Sequence, residues 1–335
     1  MKREVTCPKG KAELIVADRI SALRAAQGKT LGKQVFEKVY QMSESTPTRD
    51  VVLSQAQSDK YWEDGFLFPL TIFSETEATE TRAELERIEQ DWLEADLPLP
   101  LNTYKRVNAH LVMPLAARVA TDPRVLDVVE GVLGPDIMVW SAEFFIKEPD
   151  TAHTVGMHQD LTYWGMGETP DQVTAWIALS PATVESGCMD FVRASHKNPI
   201  LPHNDTYSDT NLLSRGQEVA VYVAEEDKTH IELAPGQMSL HHGLTIHGSG
   251  PNQSGDRRIG LAIRYLNPNA KQLVAERDYA MLARGQDGQS NFVHVQPPAE
   301  LFSADALALY EKVRSDQSKA LSEGAKGSVP LYAST

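Results

Sequence analysis

Between Ile137 and Leu266 the hydrophobic pattern of this chain leaves the helical period and alternates residue by residue. The runs "IMVWSAEFFI", "QVTAWIAL", "EVAVYV", "HIELAPGQMSL" and "RRIGLAIRYL" are short, rich in β-branched and aromatic residues, and separated by Gly, Pro, Asn and Ser turns. No helical pattern alternates with them. This argues against a parallel sheet and predicts a mostly β sandwich or jelly roll.

Helices are expected on either side. Residues 12 to 42 carry helical spacing at Ile20, Leu23, Leu31, Val35 and Val39, with Thr30 as a capping candidate, and 42 to 50 read as a polar linker. Ser74 to Glu77 forms a capping box ahead of an apolar stripe of Leu85, Ile88 and Trp92. Further on, Asp122 caps a helix that starts at Pro123, turns Val125, Val128, Val129 and Val132 inward, and stops at Gly134 and Pro135. "SADALALYEKVRSDQSKAL" reads as a final helix and "SVPLYAST" as a tail. The expected division is an N-terminal helical extension over 1–50, a β domain with packed helices over 51–300 whose catalytic core is 137–266, and a C-terminal helix and tail over 301–335.

Chemistry concentrates in that core. In "GMHQDLTYW" an extended strand projects His158 and Asp160 together while Gln159 points away, and "LTIHGSGPNQSGDRR" supplies His247. Two imidazoles and one carboxylate can cap one face of an octahedral ferrous ion and leave positions for a bidentate cosubstrate and dioxygen. The combination points to a non-haem iron oxygenase. On the run "RIGLAIRYL", Arg258, Gly260, Ala262 and Arg264 share one face, and Ile259, Leu261 and Ile263 share the other. One face can pack on a covering layer; the other is an open slot ending in a guanidinium that can grip a carboxylate through two parallel hydrogen bonds. Arg257 falls on the opposite face.

Other histidines need separate treatment. His241 and His242 also precede Arg258, and spacing alone would admit either as a ligand; the "GSG" that follows His247 favours His247. His241, His242, His153, His196, His203, His230 and His294 are read as structural or surface groups. His110 is read on one strand face with Arg106 and Asn108, as a candidate substrate contact. Tyr163 and Trp164 suit either the core or a substrate wall that takes a hydrophobic group or a quaternary ammonium.

From about Phe144 to Tyr265 the chain resembles the phytanoyl-CoA dioxygenase family of Fe(II)- and 2-oxoglutarate-dependent oxygenases. The resemblance rests on "HQDLTYW", Trp176 in "TAWIALSPATVESGCM", "ASH" ending at His196, "HGSGPN" with His247, and Arg258. It implies a double-stranded β-helix core of the cupin type, with Fe(II) held by His158, Asp160 and His247. It also implies that Arg258 grips the distal carboxylate of 2-oxoglutarate, that Trp176 and Ser249 line that pocket, and that O2 is consumed. "RVNAHL" is similar to a segment where the family carries a lysine near the cosubstrate; here the position is Arg106, a cation of different geometry. The implied reaction is hydroxylation of an unactivated carbon with release of succinate and CO2. Related halogenases have a small residue where Asp160 stands. Tyr163, Trp164, Asn108, His110, Gln159 and Arg264 are the candidate substrate contacts.

Composition narrows the partners. A net charge of −14 over 335 residues, with Lys and Arg scattered, speaks against nucleic acid and against a highly anionic CoA ester, and leans toward a small zwitterionic substrate. With Cys7 and Cys188 as the cysteines, a charged N-terminus and no apolar run of membrane length, a cytoplasmic enzyme without a membrane partner is expected. A homo-oligomer stays open. The rival readings are an acyl-CoA hydroxylase of the same family, a zinc hydrolase, a cupin that uses dioxygen without 2-oxoglutarate, and a non-catalytic metal-binding barrel. Turnover of 2-oxoglutarate excludes the last three.

Overall fold

The computed structural model describes residues 52–206, 210–213 and 216–321. The expected N-terminal helices and the "SVPLYAST" tail lie outside the described residues. Among the described residues the larger sheet has seven strands. In spatial order they are β1 (Phe66–Thr71), β9 (Gln237–His242), β4 (Gln172–Ala178), β11 (Arg258–Leu266), β2 (Ile137–Lys147), β12 (Tyr279–Arg284) and β13 (Val293–His294). The smaller sheet has the order β3 (Val155–His158), β10 (His247–Ser249), β5 (Met189–Val192) and β8 (Lys228–Ile231), and β6 (His203–Asp205) pairs with β7 (Gln217–Val219). From β2 to β5, and again from β8 to β11, successive strands change sheet or return to it. That winding is the double-stranded β-helix.

The covering layer is helical. Ile259, Leu261 and Ile263 on β11 join Phe144 on β2 and Ala175 and Ile177 on β4 in one apolar core. Helix α1 (Gln55–Asp64) precedes β1, and α2 (Glu75–Trp92), α3 (Leu101–Arg106), α4 (Pro114–Ala120) and α5 (Pro123–Leu133) follow it. Val128 and Val129 of α5 and Leu115 of α4 belong to the same core, and each large aliphatic side chain buried there contributes roughly 1.5–3 kcal/mol. The caps are those the sequence predicts. Ser74 Oγ accepts from the Glu77 amide, and the Glu77 carboxylate accepts from the Ser74 amide. The Asp122 side chain accepts from the Arg124 amide, and Gly134 ends α5 at φ 83°, where a side chain would be strained.

Several elements depart from the sequence pattern. "HIELAPGQMSL" divides at Pro235 and Gly236, so one run feeds β8 in the smaller sheet and β9 in the larger. "EVAVYV" pairs only through β7, and Tyr222 is 90% exposed. The larger sheet also reaches beyond 137–266, because β1 pairs with β9 and β12 pairs with β2. The last helix, α6 (Ala304–Leu321), places Tyr310 and Val313 in the main core, so it is built into the same body as the sheets. No helix among the described residues is long and apolar enough to cross a membrane.

Candidate metal centre and cosubstrate pocket

The register of β3 against β10 sets His158 opposite His247, with ring centroids 4.2 Å apart. His158 Nδ1 lies 2.8 Å from the Gly156 carbonyl oxygen, and His247 Nδ1 lies 2.9 Å from that of Thr245. A carbonyl oxygen only accepts, so each Nδ1 carries the proton and each Nε2 presents a lone pair. Asp160 is not on the strand as expected: β3 ends at His158, and Asp160 opens a short 3-10 turn over Asp160–Thr162. That turn brings Asp160 Oδ1 to 3.2 Å from His158 Nε2 and 3.9 Å from His247 Nε2. The three ligand atoms lie within 4.8 Å of one another, close enough for one ion to bridge.

The protonation states suit a cation. Burial, reinforced by the neighbouring imidazoles His158 and His241, holds His247 well below the ordinary histidine range and so neutral. Burial alone would raise Asp160, but its close contacts with His158 and His241 and the charge of Arg264 hold it well below the ordinary carboxylate range. A neutral imidazole and an ionised carboxylate are the forms that bind metal.

The opposite wall of the cavity belongs to the larger sheet. The walls enclose about 440 Å³, counting the open mouth, and include Thr174 and Trp176 of β4, His241 of β9 and Arg258, Ala262 and Arg264 of β11. Arg258 is 1% exposed, with its guanidinium 5.3 Å from the Trp176 ring centroid. Burial pushes it down to about 10, and among the described residues no carboxylate pairs with it. Gly260 is required here, because a Cβ would overlap the Trp176 indole. Arg257 turns outward, 2.7 Å from Glu89 and 2.9 Å from Glu148.

Lys147 is a site residue that the sequence pattern did not single out. It stands opposite Arg258 in the β2–β11 register, is fully buried, and donates to Ser249 Oγ at 2.7 Å and to the Gly250 carbonyl. Burial pushes its ammonium down to about 6. The available signal is a lysine closing a strand that is apolar apart from Ser141 and Glu143. Ser249 itself lines the cavity. Arg106, expected at the lysine position, ends α3, donates to the Leu212 carbonyl at 2.7 Å and lies 4.6 Å over the Phe145 ring.

The strand face assigned to Arg106, Asn108 and His110 is corrected by the fold, since α3 and a 3-10 turn over Ala109–Leu111 replace it. Asn108 Nδ2 donates to Gln317 on α6 at 2.7 Å, and His110 is buried and pushed down to about 3. Gln159 spends its amide on Leu201, Leu244 and Pro199, which holds these loops together, and it is not among the residues that line the cavity. Trp164 packs 5.1 Å from Trp140 in an apolar cluster, and Tyr163 is half-buried 5.5 Å from His203. Arg264 lines the cavity and pairs with Glu143 at 2.8 Å. Among the histidines read as structural, His230 and His294 pair with Asp190 and Asp287, and the His242 ring accepts from the Leu244 amide. His241 departs from that reading, because it stands in the cavity wall.

Comparison with known proteins agrees with this architecture. The family model described as phytanoyl-CoA dioxygenase (PhyH) matches residues 61–260. Bovine peroxisomal phytanoyl-CoA dioxygenase is 27% identical over 247 residues, 67% of this chain and 72% of that protein. A probable alpha-ketoglutarate-dependent hypophosphite dioxygenase of Stutzerimonas stutzeri is 29% identical over 177 residues, 51% of this chain and 60% of that protein. Among solved structures, the apo form of the non-heme monooxygenase ThoJ superposes with a TM-score of 0.72 at 30% identity, over 80% of this chain and 98% of that one. A family match covering more than half of the chain makes it a member of the phytanoyl-CoA dioxygenase family, whose enzymes are Fe(II)- and 2-oxoglutarate-dependent oxygenases.

Proposed function

We propose that the chain hydroxylates an unactivated carbon of a small molecule, with Fe(II) on His158, Asp160 and His247 and 2-oxoglutarate anchored by Arg258. One observation carries this reading: a fully buried arginine that has no anionic partner among the described residues shares a cavity with three ligand atoms spaced for one ion. A zinc hydrolase has no use for such an arginine. Two nitrogen lone pairs and one carboxylate oxygen form the donor set of non-haem ferrous oxygenases, so the residues fit the metal. When bound, Fe(II) and 2-oxoglutarate supply the oxidising power from O2, with succinate and CO2 as by-products.

The chain's own residues set the geometry. Arg258 would hold the distal carboxylate of 2-oxoglutarate, and a charge-assisted contact at so buried a guanidinium would be strong. The Trp176 indole, admitted by Gly260, forms the wall beside it. Lys147 fixes the Ser249 hydroxyl. Arg264 and Glu143 present a cation beside an anion, which suits a small zwitterion such as an amino acid derivative, an ectoine or an aminophosphonate. An acyl-CoA ester is the rival substrate suggested by the relatives' names, and the net charge of −14 works against its phosphates.

The test is anaerobic addition of Fe(II) and 2-oxoglutarate to the purified protein. A visible charge-transfer band, as a keto acid gives on chelating ferrous iron, is expected. Absence of the band, with tight fourfold binding of zinc instead, overturns the reading. A metabolite screen scored by succinate release then identifies the substrate.

A further inference from the structure

We propose that His241 and Thr174 together hold the outer oxygen of the Asp160 carboxylate and keep that carboxylate to a single contact with the metal. The inference rests on the iron reading above and gives the floor of the cavity a positioning role. His241 on β9 is the direct cross-strand partner of Thr174 on β4, so the two side chains project from one face, and both line the cavity.

The two oxygens of Asp160 have different surroundings. Oδ1 lies 3.2 Å from His158 Nε2 and 3.9 Å from His247 Nε2, on the side where an ion would bind. Oδ2 faces the larger sheet, 3.4 Å from Thr174 Oγ1 and 3.6 Å from His241 Nε2. Gln172 Nε2 donates to Thr174 Oγ1 at 3.0 Å, which occupies a lone pair of the hydroxyl and leaves its proton for Asp160.

His241 has no other explanation among its contacts. The ring is 2% exposed, stacks 5.0 Å from Phe191 and 4.5 Å from His247, and among the described residues neither nitrogen has a hydrogen-bond partner. A phenyl ring would fill that aromatic niche without leaving two polar atoms buried and unpaired. Its Nε2 stands a few tenths of an ångström beyond hydrogen-bond distance from Oδ2, a gap closed by a small shift of the carboxylate. His241 is not itself a ligand, since the group of atoms that one ion can bridge is His158, Asp160 and His247. Left loose, Oδ2 would swing toward the ion and take a position that the cosubstrate or dioxygen needs. Both floor residues act through Asp160 and are positioning residues.

His241→Phe keeps the ring and its stacking and deletes the donor; His241→Gln restores an N–H near the Nε2 position. The probes are Co(II) affinity, by chelator competition, and the electron paramagnetic resonance spectrum of the Fe(II)–nitric oxide complex, neither of which needs turnover. His241→Phe should bind Co(II) roughly 10- to 100-fold more weakly with an altered spectrum, and His241→Gln should recover most of the loss. Wild-type affinity and spectrum in His241→Phe overturn the proposal. If His241→Phe fails to fold by circular dichroism, Thr174→Val carries the same test, and unchanged affinity there overturns it. Failure of the iron reading looks different, because wild-type protein would then lack the keto-acid band.

Discussion

His158 and His247 face each other as register partners across β3 and β10, and each has its Nδ1 at hydrogen-bond distance from the carbonyl two residues earlier in the chain. The backbone, in β3 at Gly156 and in the bend before β10 at Thr245, thus fixes both tautomers before any ion arrives. Apo protein carries a preformed donor set. His158→Ala or Asp160→Ala should abolish the anaerobic Fe(II) and 2-oxoglutarate band, since each deletes one of the three donors. A band of wild-type intensity in either variant would remove that residue from the metal.

Arg258 and Arg257 are expected to separate cleanly. Arg258→Ala should weaken 2-oxoglutarate binding by roughly 2–5 kcal/mol, as loss of a buried charge-assisted contact does. Arg257→Ala should change it little, because Arg257 is held outside by Glu89 and Glu148. Calorimetric titration of both variants decides; equal losses contradict the assigned faces.

Gly260→Ala adds one methyl where the Trp176 indole lies. The indole must move, and overpacking of this kind costs roughly 1–3 kcal/mol. Urea denaturation should show that loss, and 2-oxoglutarate binding should fall with it because Trp176 forms the wall beside Arg258. A variant as stable as wild type would mean that the ring has another place to go.

Lys147 should make stability depend on pH. Its ammonium falls from 10.5 to about 6 on burial, so between about pH 6 and 10 the unfolded chain binds a proton that the folded chain has shed. Stability therefore rises with pH through that window, and the full penalty of burial is felt below it. Lys147→Met removes this titration. Comparing urea midpoints across the window, wild type should gain on the variant as pH rises, by up to ~1.4 kcal/mol per pH unit. A difference that does not change with pH would show a lysine still charged inside the fold.

Asp160 also bears on the reaction type. With a carboxylate in that position no vacancy is left for a halide, so turnover in high chloride should yield hydroxylated product alone by mass spectrometry. Asp160→Ala should be inactive or uncoupled more readily than halogenating, because a halide needs supporting contacts as well. Chlorinated product from wild type contradicts hydroxylation.

Local patterns were legible in the chain. The Ser74–Glu77 box and the Asp122–Pro123 start depend on residues within one helical turn, and the faces of β11 follow from strand parity. Asp160 was placed on the correct side for a less accurate reason, since a turn and not a strand brings it to His158. What stayed hidden depends on sheet neighbours far apart in sequence. Lys147 gains meaning only opposite Arg258, and His241 only beside Thr174, in registers that no short window contains. Asn108 and His110 misled because alternation over a few polar residues resembles a strand, whereas the segment packs as helical turns under α6.

The adjacent arginines at the start of β11, Arg257 just before it and Arg258 its first residue, also bear on how the strand pairs. If the strand slid by one residue, Arg257 would enter the cavity, Arg258 would meet the outer carboxylates, and Ile259, Leu261 and Ile263 would leave the core. Every cost of that slip falls at once. The surface charges around Arg257 therefore proofread the pairing that delivers Arg258, so an alteration to Glu89 or Glu148, outside the cavity, bears on how faithfully the pocket is assembled.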